Sequence, residues 1–288
     1  MPSLDLVLGI SCILAGTAMN STGIVLQKRE VNKSGMRDDS NLAYFLKRPF
    51  WVLGILAQTL LFAPFFFIGI DLIGIALAQP LATAGLLVFV AGAVLVLKEH
   101  VSRVEWIGIW LMVAAIFLVS LAGVAGNVTV SIFFQDWFVT SAVAFTAILA
   151  GLIVAGGLLI RFVKQRDVQG LAILIGTSYA IVSIAGQLVT IGFDTASMAG
   201  MEVLGWMLVV LGLAGVIGGT VAGINFSQNA FKKAQAIQII PISQSINNVL
   251  PIVAGTFLFG QSIEFSWLFI PGVVVLLVAV TLLARFQR

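Results

Sequence analysis

AIQIIPISQSINNVLPIVAG, residues 236–255, has the length of a membrane span but carries six uncharged polar side chains and two prolines. A bilayer core of about 30 Å takes around 20 residues of apolar helix. A span holding Gln238, Ser243, Gln244, Ser245, Asn247 and Asn248 must keep them from lipid, where unsatisfied polar groups are expensive. At about 100° per residue, Gln238, Pro241, Gln244, Ser245 and Asn248 fall within roughly 120° of one another, while Ser243 and Asn247 lie on another face. A helix polar on two sides belongs inside a bundle, with one side on its neighbours and one on water or a solute. Pro241 and Pro251 each remove a backbone donor, so this helix is expected to be interrupted.

The rest of the chain supplies the bundle. Of 288 residues, 60% are hydrophobic and 9% charged, against roughly 25% charged in a soluble domain. Apolar runs fall at 4–27, 50–70, 72–97, 104–123, 137–160, 170–193, 203–230, 235–259 and 264–285, which predicts an all-α polytopic membrane protein of nine transmembrane helices. The first run has no basic residues before it and Asp5 at its start, and reads as a span, not a cleaved leader. The single Cys12 excludes a disulfide framework and a cysteine metal site.

Charge sets the orientation. With nine spans, all fifteen Lys and Arg residues fall on one side, which the positive-inside rule makes the cytoplasm. The N-terminus is then outside and the C-terminus cytoplasmic, in what is expected to be the plasma (cytoplasmic) membrane. The outer ends carry only acids, Asp5, Asp71, Asp136, Asp194, Glu202 and Glu264. These either concentrate cations at the outer mouth or are what the basic bias leaves behind.

An internal repeat comes next. Residues 71–106 align with the segment ending at Trp267, so that Pro80 meets Pro241, Trp106 meets Trp267, Thr83 meets Gln244 and Ala84 meets Ser245. Both copies have a proline-bearing helix, a polar turn, an interfacial Trp and a plain apolar helix. The predicted orientations are opposite. Inverted repeats of this kind point to secondary transporters and to their binding sites. The expected division is a first repeat at 1–124 (helices 1–4), an extracytoplasmic connector at 125–136 and a second repeat at 137–288 (helices 5–9).

Polar stripes on other runs mark the expected substrate pathway. Tyr179, Ser183, Gln187, Thr190 and Asp194 follow helical spacing almost in a line, ending at the outer mouth, where Asp71 also lies. Gly9, Gly16 and Gly23 share a face with Asn20 and Gln27, and Gln79 and Thr83 flank Pro80. Single groups of this kind are interhelical hydrogen-bonding glue, worth about 1 kcal/mol or less. The clusters around Gln187 and Gln244 exceed what glue requires. The pathway set is Asn20, Gln79, Pro80, Thr83, Tyr179, Ser183, Gln187, Thr190, Gln238, Pro241, Gln244, Ser245 and Asn248. No ionisable side chain falls near the middle of a predicted span, and no nucleophile–base or histidine–carboxylate cluster is present, which argues against an enzyme. No catalytic residue, cofactor or nucleic-acid partner is expected, and the sequence assigns no metal ligands. The partners are the lipid bilayer and a small solute.

The pattern resembles the drug/metabolite transporter (EamA-like) superfamily, and within it the nine-helix NIPA-type magnesium transporters. The stretches that carry the resemblance are GIVLQKRE (23–30), AQPLATAGLLV (78–88) leading to LKEHVSRVEWIG (97–108), and INFSQNAFKKAQAIQIIPI (224–242). The resemblance implies an inverted-repeat bundle that moves a small solute by alternating access around a central uncharged polar cavity, with Mg²⁺ the first substrate. Mg²⁺ is usually held through carboxylates and retained waters, so a small neutral or zwitterionic metabolite or drug is the alternative. A non-transporting membrane scaffold, with every polar group consumed between helices, is the third reading.

Overall fold

The computed structural model describes residues 4–34, 42–73, 81–82, 84–122, 124–125, 128–163, 166–263 and 266–285. Among them six helices are long and apolar enough to cross a membrane, and the chain is a multi-pass helical membrane protein. These are α1 (Leu4–Lys33), α3 (Pro49–Leu56) with its continuation, α7 (Asp136–Phe162), α8 (Asp167–Ala196), α9 (Glu202–Lys233) and α10 (Ala236–Phe257). The third, fourth and ninth apolar runs carry α5 (Ala84–Leu95), α6 (Arg103–Leu121) and α11 (Ser266–Arg285). A short α2 (Leu42–Phe45) precedes α3, and α4 (Phe62–Ile73) follows a π-turn at Ala57–Leu61. The all-helical pattern has one small exception. Val124–Ala125 (β1) pairs antiparallel with Ser262–Ile263 (β2), tying two loops together.

The helices divide into two compact units, one of residues 1–123, 228–241 and 265–288, the other of 124–227 and 242–264. In the first, α1 packs antiparallel on α3–α4 through glycines. A Cβ on Gly54 would sit 2.7 Å from the Gly23 carbonyl oxygen, one on Gly16 3.3 Å from that of Phe62, and one on Gly69 3.2 Å from that of Gly9. The partners of Gly9, Gly16 and Gly23 are therefore Gly69, Phe62 and Gly54. The step is seven residues throughout α1, but seven and then eight on the other strand of the seam. The π-turn at Ala57–Leu61 lies within the longer step and absorbs the surplus residue. Elsewhere in this unit α11 packs on α6, with Gly272 against Leu118 and Val119.

The second unit repeats the device without the defect. Cβ atoms on Gly219, Gly212 and Gly192 would each lie 2.8 Å from a facing carbonyl oxygen, those of Ser178, Ala185 and Gly205. Small residues thus recur every seventh position on both α8 and α9, and the two backbones touch. Lipid tails are as apolar as leucine, so membrane helices associate through such close packing and not through hydrophobic exclusion. Gly176 of α8 meets Ser243 and Ile246 of α10. Val130, Ile132, Phe145, Ile191, Leu208, Ala254 and Phe259 close an apolar core at one end.

Two helix C-terminal turns share one backbone geometry. After α5, Val96 and Leu97 N–H both donate to Gly92 O, Lys98 is left-handed (φ 59°), and Glu99 N–H reaches back to Ala93 O. After α10, Leu258 and Phe259 N–H donate to Ala254 O, Gly260 is left-handed (φ 63°), and Gln261 N–H reaches Gly255 O. Every member of the second set lies 162 residues after its counterpart in the first. This spacing differs by one from the register of 161 expected from Pro80/Pro241 and Trp106/Trp267.

A second correction concerns Pro241 and Pro251. They were expected to interrupt the helix, yet α10 runs unbroken through both. Its first N–H groups are capped from outside, as described below, so the helix is established before Pro241. Membrane helices accommodate the missing donors.

Two contrasting substitutions on α9 check the seam. Gly219→Ala, facing a carbonyl at 2.8 Å, is expected to destabilise by about 1–3 kcal/mol. Gly218→Ala meets no atom within 4 Å and should be neutral or stabilising, by up to about 1 kcal/mol from helix propensity. Thermal unfolding in detergent reads both.

Candidate functional site

Two polar regions stand out, one in each unit. In the second unit, α8 and α10 are the most deeply packed spans, with 56% and 50% of their apolar windows buried against 11% for α7. Polar residues on these two helices are therefore the ones that need explaining.

On α8, Tyr179 and Gln187 are half-buried, while Ser183, Thr190 and Asp194 are exposed. Tyr179 packs beneath Gly223 of α9, whose Cβ would lie 3.0 Å from its ring. The Ser183 hydroxyl donates to Tyr179 O and the Thr190 hydroxyl to Gly186 O, each at 3.3 Å. A Cβ on Gly186 would meet nothing within 4 Å. Ser183, Thr190 and Asp194 thus lie exposed along α8, with Gln187 half-buried among them and Tyr179 packed against α9.

On α10, Ser243 and Ser245 are buried, whereas Gln244 and Asn248 are half-exposed and joined by Asn248 Nδ2 donating to Gln244 O at 2.8 Å. The Asn247 side-chain oxygen is buried without a hydrogen-bond partner. Ser243 lies at the contact with Gly176; of the other face read from the sequence, Gln244 and Asn248 are half-exposed while Ser245 and Pro241 are buried.

Of the remaining pathway residues, Asn20 is half-buried on α1, Gln238 half-buried and Pro241 buried at the start of α10, all within the first unit. Gln79, Pro80 and Thr83 lie outside the described residues, as does the Asp71 side chain. Among the described residues, no three His, Cys, Asp or Glu side chains come together as a metal-ligand group.

The first unit holds a polar cluster that the sequence did not single out. Gln228 Nε2 donates to Gln27 Oε1 at 3.1 Å, and Gln27 Nε2 donates to Gln58 Oε1 at 2.7 Å. Gln58 sits in the π-turn, Gln27 one turn beyond Gly23 on the glycine seam. Gln228 Oε1 has no partner.

Beside this chain of amides, two buried charges hold the junction between α9 and α10. Lys28, 3% exposed, donates its Nζ protons to Phe231 O and, at 2.6 Å, to Ala234 O, and lies 5.8 Å from the Phe231 ring centroid. The Glu99 carboxylate, 8% exposed, accepts the N–H groups of Ala236 at 2.7 Å and Ile237 at 2.9 Å. A cation thus caps the carbonyl end of one helix and an anion the amide end of the next, as the helix dipole favours. Burial pushes the Glu99 carboxyl above its ordinary range, while the two backbone bonds and the attraction of Lys28 pull the other way. Lys28 served the sequence reading only as an orientation marker. The signal available was its neighbour Gln27, which extends the glycine face.

No protein-family model, curated protein or solved structure matches the chain.

Glu99→Ala leaves two buried N–H donors without an acceptor and the Lys28 ammonium without its counter-charge, and is expected to destabilise by about 2–4 kcal/mol. Glu99→Gln keeps an acceptor and should lose about half as much. Val at position 98 cannot take the left-handed φ without strain, so Lys98→Val should cost about 1–3 kcal/mol, with Lys98→Gly tolerated. Chemical or thermal unfolding in detergent separates the four.

Proposed function

We propose that this chain is a secondary transporter or facilitator of a small solute, built as a nine-span inverted repeat with its N-terminus outside and its C-terminus in the cytoplasm. The observation that carries the reading is the placement of uncharged polar side chains on open faces of the most deeply packed apolar helices. Gln187, Gln244 and Asn248 are half-exposed at positions where a helix serving only as packing would present apolar groups. The twin turns at Lys98 and Gly260 support a duplicated architecture, the arrangement on which alternating access is commonly built.

By the resemblance to the NIPA-type branch of the drug/metabolite transporter superfamily, Mg²⁺ is the first substrate. It would pass as a hydrated ion, since amides and hydroxyls contact its water shell more readily than they replace it. A small neutral or zwitterionic metabolite is the second reading, favoured by the uncharged chemistry of Gln187, Gln244 and Asn248. Neither reading involves catalysis or a cofactor.

The test is flux in proteoliposomes, with Mg²⁺ first and a panel of neutral metabolites second. Transport of either class should fall at least tenfold in the Gln244→Ala, Asn248→Ala double variant. Cysteines placed at Gln187, Gln244 and Asn248 should react with a membrane-impermeant thiol reagent. Uniform protection and no flux would instead identify a scaffold whose polar groups are all consumed between helices.

A further inference from the structure

The two turns that share a backbone differ in one chemical respect. The residue after left-handed Gly260 is Gln261, and the residue after left-handed Lys98 is Glu99. Both send their N–H back to the helix they follow, so the geometry of the turn does not require a charge. An amide oxygen also accepts backbone N–H groups at a helix start. A carboxylate at this depth carries a desolvation penalty of several kcal/mol, and so does the Lys28 ammonium buried near it. The acid at position 99 gives each of the two N–H groups its own acceptor oxygen, where a glutamine gives one, and it makes that count depend on a proton.

We propose that Glu99 is a proton-binding site whose occupancy decides how firmly the start of α10 is held, and that this proton is the coupling ion of the transporter. The exchange follows from valence. Ionised, the carboxylate accepts from both Ala236 and Ile237. Protonated by a proton from cytoplasmic water, one oxygen becomes an O–H donor and gives up its backbone N–H, while the other keeps its bond. Lys28 then loses its counter-charge, with its protons still directed at Phe231 O and Ala234 O. The released N–H lies within the first two residues of α10, the helix that carries Gln244 and Asn248.

Lys28 is the charged group acting on Glu99 from another helix. The other ionisable residues on the flanking elements are Arg29, Glu30 and Lys33 on α1 (Glu30 pairs with Lys33 and Arg48), Lys98 and His100 on its own turn, Arg103 and Glu105 at the start of α6, and Lys232 and Lys233 at the end of α9. Glu105 is engaged in a capping box, accepting Ser102 N–H while Ser102 Oγ accepts its own N–H. The α10 segment facing the carboxylate, Ala236 to Pro241, contains no ionisable residue.

The coupling half of this proposal rests on the transport reading; the protonation half does not, and the experiment has an arm for each. Hydrogen exchange of purified protein, corrected for intrinsic pH dependence, should show residues 236 and 237 exchanging at least fivefold faster as pH falls through a single titration. Glu99→Gln should abolish that titration. Lys28→Gln, which keeps the carboxylate but removes its counter-charge, should move it to higher pH. In proteoliposomes, an imposed pH gradient should drive solute accumulation by the wild type, while Glu99→Gln keeps downhill flux and loses the response to the gradient. A wild type with pH-independent exchange at these residues, or Glu99→Gln and Lys28→Gln variants with unchanged titrations, overturns the proton site. Should the titration be present while flux ignores the gradient, the coupling role is overturned. Absence of flux for every solute removes the transport reading and the coupling with it.

Discussion

Backbone contact between antiparallel helices is the constraint from which the rest of the architecture follows. In lipid there is no hydrophobic drive to bring two apolar helices together, so they associate where their surfaces allow the closest approach. Here the approach is set by carbonyl oxygens lying where the side chains of Gly54, Gly192, Gly212 and Gly219 would begin. Such contacts fix both the separation and the register of each helix pair. They also leave the opposite faces of α8 and α10 free for polar groups, because stability does not depend on those faces being apolar.

The junction of α9 and α10 obeys a different rule. Consecutive helices joined by a tight turn present a cluster of unpaired carbonyls followed at once by unpaired amides. Water can satisfy them at a surface, but Ala236 and Ile237 are fully buried. Lys28 and Glu99 solve the two halves of this problem with opposite charges, each placed at the helix end whose dipole suits it. Together with the Gln58–Gln27–Gln228 chain, they form a buried polar cluster within the first unit.

How much of this is written in the sequence depends on the kind of signal. Apolar runs are read by summing many residues, and each predicted run carries helix. The glycine faces and the stripe from Tyr179 to Asp194 follow from helical period alone. Pro80, Pro241 and the two tryptophans led to the expectation of a duplication, at a register one residue short of the spacing between the two similar turns. Matching residues there are few, while the shared feature is a backbone angle that lysine and glycine adopt alike. The continuity of α10 through Pro241 was not legible, because the group that caps its start comes from residue 99, over a hundred positions away. The pairing of Lys28 with the α9 terminus was hidden for the same reason: composition shows a basic residue after an apolar run, and only the fold turns it inward.

The π-turn at Ala57–Leu61 has a consequence beyond the register of one seam. An added residue rotates everything after it by about a hundred degrees relative to an unbroken helix. Gln58 sits inside that displacement, at the point where the glycine spacing slips from seven to eight, and its amide is the far end of the chain that reaches Gln228. The irregularity that reconciles two helices geometrically is thus also what aims a side chain at a third. Straightening this turn would therefore disturb two things at once, the fit of the seam and the reach of the amide.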